Sequence, residues 1–279
     1  MLMGKQQLRV NCSIDWLSVT TEHGRGELSP VNMKGEKILG KGMMGYAQSY
    51  RFDNGLIHLW DANRPEVHII YNGSTLKKLP GGFDEQWLVE WHLGAGHKVT
   101  RIDTAIDVFD SGHTISEFAD VWASGNVKTR ARTGTFISDP RGDNGDTFYV
   151  GSRKKKRKLL RVYDKGLEQR VDEDWIRFEM QYNGGAARSA ARQVDTAQDL
   201  YTLFAGQLAS FCSFEHPLFR ELTADIKKIP VRHNMPTGLD KRLEWVMSSV
   251  VPALVTLERE QPGFMMFLAS EILERIKLR

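Results

Sequence analysis

Arg101-Ile102-Asp103-Thr104-Ala105-Ile106-Asp107 alternates ionisable and apolar side chains. Strand side chains point to opposite faces with period two. Arg101, Asp103 and Asp107 therefore share one face, with Ile102 and Ile106 on the other. Two further stretches read the same way. Leu160-Arg161-Val162-Tyr163-Asp164-Lys165 puts Arg161, Tyr163 and Lys165 together, and Arg177-Phe178-Glu179-Met180-Gln181 does so for Arg177, Glu179 and Gln181. Three polar strand faces require one another, a metal ion or a charged substrate, which is the pattern of an active site.

The 279 residues suffice for one large domain or a core domain with an appendage. A hydrophobic content of 41% and a charged content of 26% predict a packed core and exclude global disorder. Net charge is only +3, yet Arg153, Lys154, Lys155, Lys156, Arg157 and Lys158 form an unbroken basic run. Such a run is a local polyanion patch or a solvated hairpin tip, and its position beside the polar strands favours the patch. Cys12 and Cys212 are too few for a disulfide framework and lack metal-type spacing. Residues 1–10 carry no apolar core of a signal peptide, and no window approaches the ~18 apolar residues of a membrane span. The expectation is a cytoplasmic protein without a membrane partner.

Outward from the first stretch, Cys12 to Thr20 alternates as a strand. Thr21 to Gly45 reads as a long excursion. Strands follow at 46–52, 56–60 and 67–71, the first two joined by the Asp53-Asn54-Gly55 turn signal. Asp84 to Leu93 carries Trp87, Leu88 and Trp91 at helical spacing, read as core. In the second half, a strand at 99–109 precedes a helix at 114–124. Three strands then span 146–152, 159–165 and 175–182, and the basic run turns between the first two. Beyond about 186 the periodicity is helical, over 190–211, 243–257 and 264–278, broken by prolines. The predicted class is α+β: an antiparallel-sheet catalytic body over 1–185 with helices packed on it, followed by a mainly helical region over 186–279. Both halves of the body hold an acidic strand, Asp15 in the first and Asp103 with Asp107 in the second, which makes a duplicated unit conceivable.

Asp103, Asp107 and Glu179 are hard oxygen donors suited to Mg²⁺ or Mn²⁺. Without partners they would repel and take up protons. The competing reading pairs them with Arg101, Arg161 and Arg177. No His-hydrophobe-His pair, the usual metal clamp of nucleases that attack DNA with tyrosine, is present, and His92, His97 and His113 are assigned no role. Tyr163, between Arg161 and Lys165, is expected to have a lowered pKa and to be able to attack a phosphodiester. Tyr149, on the partner strand of the same hairpin, is the competitor. The six basic residues from Arg153 to Lys158 would grip a nucleic-acid backbone without reading its sequence.

Ile14 to Thr20, Arg101 to Asp107, Gly145 to Arg153, Arg161 to Lys165 and Arg177 to Glu179 together resemble the replication initiation factor family, in matching order over roughly residues 12–182. That family includes initiators of rolling-circle plasmids, relaxases of integrative elements and replication proteins of filamentous phages; the wording of Gly145 to Arg153 is most similar to the phage branch. The resemblance implies a metal-dependent nickase that cuts one strand at a replication origin, single-stranded or cruciform. It would keep the 5′ end on a tyrosine and leave a 3′ hydroxyl. By the same resemblance Asp103 and Glu179 look like metal ligands, with Asp107 and Asp15 as supporting acids. Where this chain has Lys155 the family often has serine. A host helicase and a second copy of the chain are further partners to expect. Two rival readings are a DNA-binding regulator that lost catalysis and a metal-dependent nuclease whose nucleophile is water.

Overall fold

The computed structural model describes residues 8–22, 29–30, 35–38, 42–139, 141, 145–154, 157–232, 246 and 250–277. Twelve strands are present among them: β1 (Arg9–Glu22), β2 (Gly35–Ile38), β3 (Gln48–Phe52), β4 (Ile57–Trp60), β5 (Glu66–Asn72), β6 (Lys98–Phe109), β7 (Val127–Thr129), β8 (Gly134–Ile137), β9 (Thr147–Val150), β10 (Lys158–Asp164), β11 (Trp175–Asn183) and β12 (Cys212–Phe214). The helices that matter are α1 (Gly73–Leu76), α2 (Glu85–Gly94), α3 (Ile115–Ala123), α4 (Lys165–Gln169), α5 (Gly185–Asp195), α6 (Leu200–Phe211) and α7 (Pro217–Thr223), with α8 (Val251–Glu260) and α9 (Phe264–Lys277) beyond them.

Ten strands form one sheet in the order β2-β3-β4-β5-β1-β6-β11-β10-β9-β8. Every pairing in it is antiparallel. The order is symmetric about the central β1–β6 pair. In each half the first strand lies at the centre, the last lies beside it, and the intervening three run outward in reverse sequence order. Helices come after the last strand of each half, the short α1 and then α2 after β5 and α5 after β11, and α2 and α5 pack together. The topology is therefore a duplicated five-stranded unit, although the two halves share little sequence.

One face of the sheet is apolar. Leu17, Ile102, Ile106, Phe178, Leu160, Val162 and Phe148 are all buried there. Helices α2, α3, α5, α6 and α7 supply the other side of this core. Alanines 186, 187, 190 and 191 let α5 approach the sheet closely, and Phe118 of α3 meets Phe178 edge-on at 5.4 Å. Turn chemistry follows the sequence: Gly55 adopts φ 92° at the β3–β4 turn, and Asp84 caps α2 by accepting from Trp87 N at 2.8 Å.

The chain divides into two compact units, Met1–His233 and Asn234–Arg279. The division falls later than the boundary near 186 read from the sequence, because α5, α6 and α7 bury their apolar sides on the sheet and complete its core. The helical run over 190–211 is two helices: Asp199 accepts from Tyr201 N and Thr202 N and starts α6 afresh. Within the second unit, α8 and α9 leave Val255, Leu257, Met266, Phe267 and Leu273 exposed. No described helix is long and apolar enough to cross a membrane.

Phe178 is held between two aromatic neighbours, Phe118 and Phe219. Phe178→Ala is expected to cost about 3–5 kcal/mol of unfolding free energy in urea denaturation.

Candidate active site on the polar sheet face

The face opposite the helices carries the ionisable groups, and strand register lays them out in rows. One row crosses the sheet as Tyr149, Arg161, Glu179, Ala105 and Ser13. The next runs Thr147, Tyr163, Arg177, Asp107 and Asn11. A third brings Gln181 beside Asp103 and Asp103 beside Trp16. Glu179 and Asp107 each face an arginine on the neighbouring strand, Arg161 and Arg177, whereas Asp103 meets Arg101 two residues earlier on its own strand.

Asp107 and Asp15 are held by one guanidinium. Arg177 Nε and Nη2 donate to the two Asp107 oxygens at 2.6 and 2.8 Å, and Arg177 Nη1 donates to Asp15 Oδ1 at 2.5 Å. Trp175 Nε1 adds a bond to Asp107 at 2.7 Å. Arg177 is only 1% exposed. Burial works against its charge, but the hydrogen bonds and attraction of Asp107 outweigh it and move its pKa up. Asp15 reaches this position because the register of β1 shifts between Ile14 and Trp16, a bulge with Asp15 as the extra residue. Gly73 makes room for it: a Cβ there would lie 2.8 Å from Asp15 Oδ1.

Asp103 and Glu179 are held differently. Each is buried, yet its arginine is not: the Arg101 and Arg161 side chains are 29% and 33% exposed. Arg101 Nε donates to Asp103 Oδ1 at 2.9 Å while its guanidinium lies over Trp16 at 4.3 Å. Arg161 Nη2 donates to both Glu179 oxygens, at 2.5 and 2.6 Å. Burial lifts the Asp103 pKa to about 7 against the pull of Arg101, and the neighbouring Glu179 charge adds to the rise. These are two carboxylates in electrostatic contact under arginines that reach solvent.

The expected set of three metal ligands does not form. Among the described residues, Asp103, Asp107 and Glu179 do not bring three ligand atoms within 4.8 Å of one another, and Asp107 is already consumed by Arg177 and Trp175. The donor chemistry of Asp103 and Glu179 does fit a hard divalent ion, since a shared cation would offset the burial that raises Asp103 and the Glu179 charge that adds to it.

The expected activation of Tyr163 is also corrected. Its hydroxyl donates to Glu179 Oε2 at 3.0 Å and the residue is 4% exposed. Arg161 and Lys165 lie against the ring, 4.8 and 5.5 Å from its centre, and Lys165 pairs with Glu168. Burial and then the Glu179 charge push the phenol pKa up, outweighing Arg177 and Arg161, so Tyr163 stays neutral. Tyr149 is half-buried, with the Arg153 guanidinium 4.8 Å from its ring centre.

Of the basic run, Lys155 and Lys156 lie outside the described residues. Arg157 and Lys158 line a cleft of about 1490 Å³. Lys128, Arg130 and Arg132 form another part of its wall, and Lys228 and Arg232 a third. Among the described residues, no carboxylate lines it. Lys158 is bonded to the Val231 carbonyl, and burial followed by Arg130 lowers its pKa. The five cations from outside the hairpin were not legible in the sequence, because they are single residues scattered over a hundred positions. A second group missed from sequence is His113, Glu117 and His216, whose ligand atoms do converge within 4.8 Å.

Residues 97–263, more than half of the chain, match the profile of the replication initiation factor family. The chain belongs to that family. The matched span begins at the end of the first half of the sheet and contains Asp103, Glu179, both tyrosines and the basic cleft; Asp15 lies before it. The fold is shared with a rolling circle replication initiator protein from Geobacillus stearothermophilus. That match has a TM-score of 0.66 and 20% identity, and covers 81% of this chain and 100% of the other. No curated protein matches the sequence.

Two outcomes follow from the charge pairs. Arg177→Met strands the buried Asp107 charge and should cost about 3–5 kcal/mol in urea unfolding at pH 7. Asp103 ionises near 3.8 when unfolded and about 7 when folded. The folded state therefore binds this proton more tightly, and the associated stability is full below pH 3.8 and lost as pH rises through 7. Asp103→Asn should flatten that part of the stability–pH curve and be at least as stable as the parent at pH 8. A parallel loss of stability in both proteins from pH 5 to 8 would contradict the assignment.

Proposed function

We propose that the chain nicks one strand of origin DNA to start rolling-circle replication, through a covalent phosphotyrosine, with Mg²⁺ or Mn²⁺ at Asp103 and Glu179. The observation that carries the reading is the position of two buried, mutually repelling carboxylates beside two tyrosines on the polar sheet face, in the half of the chain that matches the initiator family. The shared fold with a rolling circle initiator supports it.

Asp103 and Glu179 would hold the ion after Arg101 and Arg161 swing toward solvent. A bound divalent ion supplies charge neutralisation at the phosphoryl oxygens. The displaced guanidiniums remain at the same face, where they can pair with the DNA phosphates. The accessible nucleophile is Tyr149: its oxygen attacks phosphorus, the bond to O3′ breaks, and the leaving oxygen ends with the proton that the phenol loses. The 5′ phosphate stays on the tyrosine. Tyr163, buried and bonded to Glu179, positions that carboxylate. Arg153 beside Tyr149 and the cations of the cleft would carry the DNA backbone, with affinity falling as salt rises.

The test is incubation of supercoiled DNA bearing the element's own origin with protein and Mn²⁺, followed by denaturing electrophoresis. A protein–DNA adduct that survives denaturant is expected, absent in Tyr149→Phe and reduced but present in Tyr163→Phe. Adducts in both variants would overturn the tyrosine chemistry. Nicking without any adduct would favour water as nucleophile, and binding without nicking would favour a regulator whose acids stay tied to arginine.

A further inference from the structure

The helical side of the sheet carries a second constellation. His113 stands two residues before α3, Glu117 lies in the first turn of α3, and His216 immediately precedes α7. The two histidines are far apart in sequence. The two-stranded β7–β12 ribbon closes that distance by pairing Phe214 with Val127, and Glu215 N continues it by donating to Asn126 O at 3.0 Å. His113 Nδ1 lies 2.8 Å from Glu117 Oε2, and His216 Nε2 lies 2.9 Å from the same oxygen. The imidazole rings are 4.7 Å apart at 65°.

We propose that His113, Glu117 and His216 bind a divalent transition metal of the zinc class, which ties the start of α3 to the start of α7. Two imidazoles and one carboxylate are the donors such an ion prefers, whereas Mg²⁺ favours an all-oxygen shell. The ligands are held before any ion arrives. His216 stacks on Phe118 at 4.1 Å, which fixes its ring. Glu117 belongs to the capping box of α3, in which its Oε1 accepts from Thr114 N and so orients the carboxylate. Asp174 accepts from Gly112 N at 2.6 Å and so anchors the turn that carries His113. Three protein ligands leave one tetrahedral position for water, and His113 borders a cleft of about 430 Å³ from which it can enter.

This site is distinct from the nicking site. Phe118, next to Glu117, packs edge-on against Phe178, whose side chain leaves β11 on the face opposite Glu179. The ion proposed here holds two helix starts together and takes no part in cutting DNA. It therefore stands or falls independently of the function proposed above.

The test uses the full chain stripped of metal and titrated with Co²⁺ as a spectroscopic probe. One equivalent should bind with visible d–d bands of low coordination number, bleached by stoichiometric Zn²⁺ and untouched by excess Mg²⁺. His113→Asn and Glu117→Gln should each weaken this equivalent by at least about 100-fold. The paired Asp103→Asn, Glu179→Gln variant should retain it. Zn²⁺ should raise the thermal midpoint of the parent and leave that of His113→Asn unchanged. The His113 side chain is partly exposed, so its replacement tests binding without removing the ring buried against Phe118. Absence of a Co²⁺ spectrum in the parent, or parent-like binding by His113→Asn, would overturn the site.

Discussion

Arg177 is the interaction on which the polar face depends. Its guanidinium is buried in the centre of the sheet and donates to Asp107 on β6 and Asp15 on β1, so a side chain from β11 ties three consecutive strands. A buried arginine is tolerable only when its charge is met by well-placed acids. Asp107 meets it with two bonds and Asp15 with one, the latter through a bulge and a glycine that lets the backbone of α1 come close. Removing Arg177 leaves the buried Asp107 charge unmatched, and removing Asp107 leaves the buried guanidinium with Asp15 alone. This cluster fixes the register of the strands that carry the other acids.

That constraint divides the acids into two classes. Asp107 and Asp15 neutralise a cation that has no route to solvent, and their charge is spent on the fold. Asp103 and Glu179 face arginines that stand at the edge of the burial and reach solvent. The same pairing motif thus ties a cation shut off from solvent at one position and a partly exposed cation at another. The difference lies in the exposure of the cation, not in the identity of the acid. The duplicated topology sharpens the division. In the first half of the sheet, the polar face is filled by Tyr46, Ile57, Leu59 and Ile70 packed with Trp16. The acid-bearing rows sit in the second half, where the family match lies.

Period-two alternation was enough to read the acidic strands, because each is long and flanked by apolar residues that face a packed core. The antiparallel α+β class, the polar face and the hairpin turn followed from it. Other features depend on contacts that no local pattern encodes. Strands β7 and β12 are three residues each and exist only by pairing with one another. The bulge at Asp15 breaks the alternation without changing the composition of β1. The break between α5 and α6 turns on one capping aspartate inside an otherwise helical run. Tyr163 shows how charge counting along a strand misleads. Its cationic neighbours lie over the ring, while the hydroxyl points at a carboxylate in a dry site, so burial decides its pKa. His113 and His216 meet only because a ribbon closes a long stretch of chain.

The division of the acids is tested most directly by anomalous scattering from crystals of the chain soaked in Mn²⁺. The account predicts a peak shared by Asp103 and Glu179, with Arg101 and Arg161 rotated off them and the Arg177 cluster unchanged. Saturating Mn²⁺ that leaves both pairs intact and no ion between those two carboxylates would contradict it.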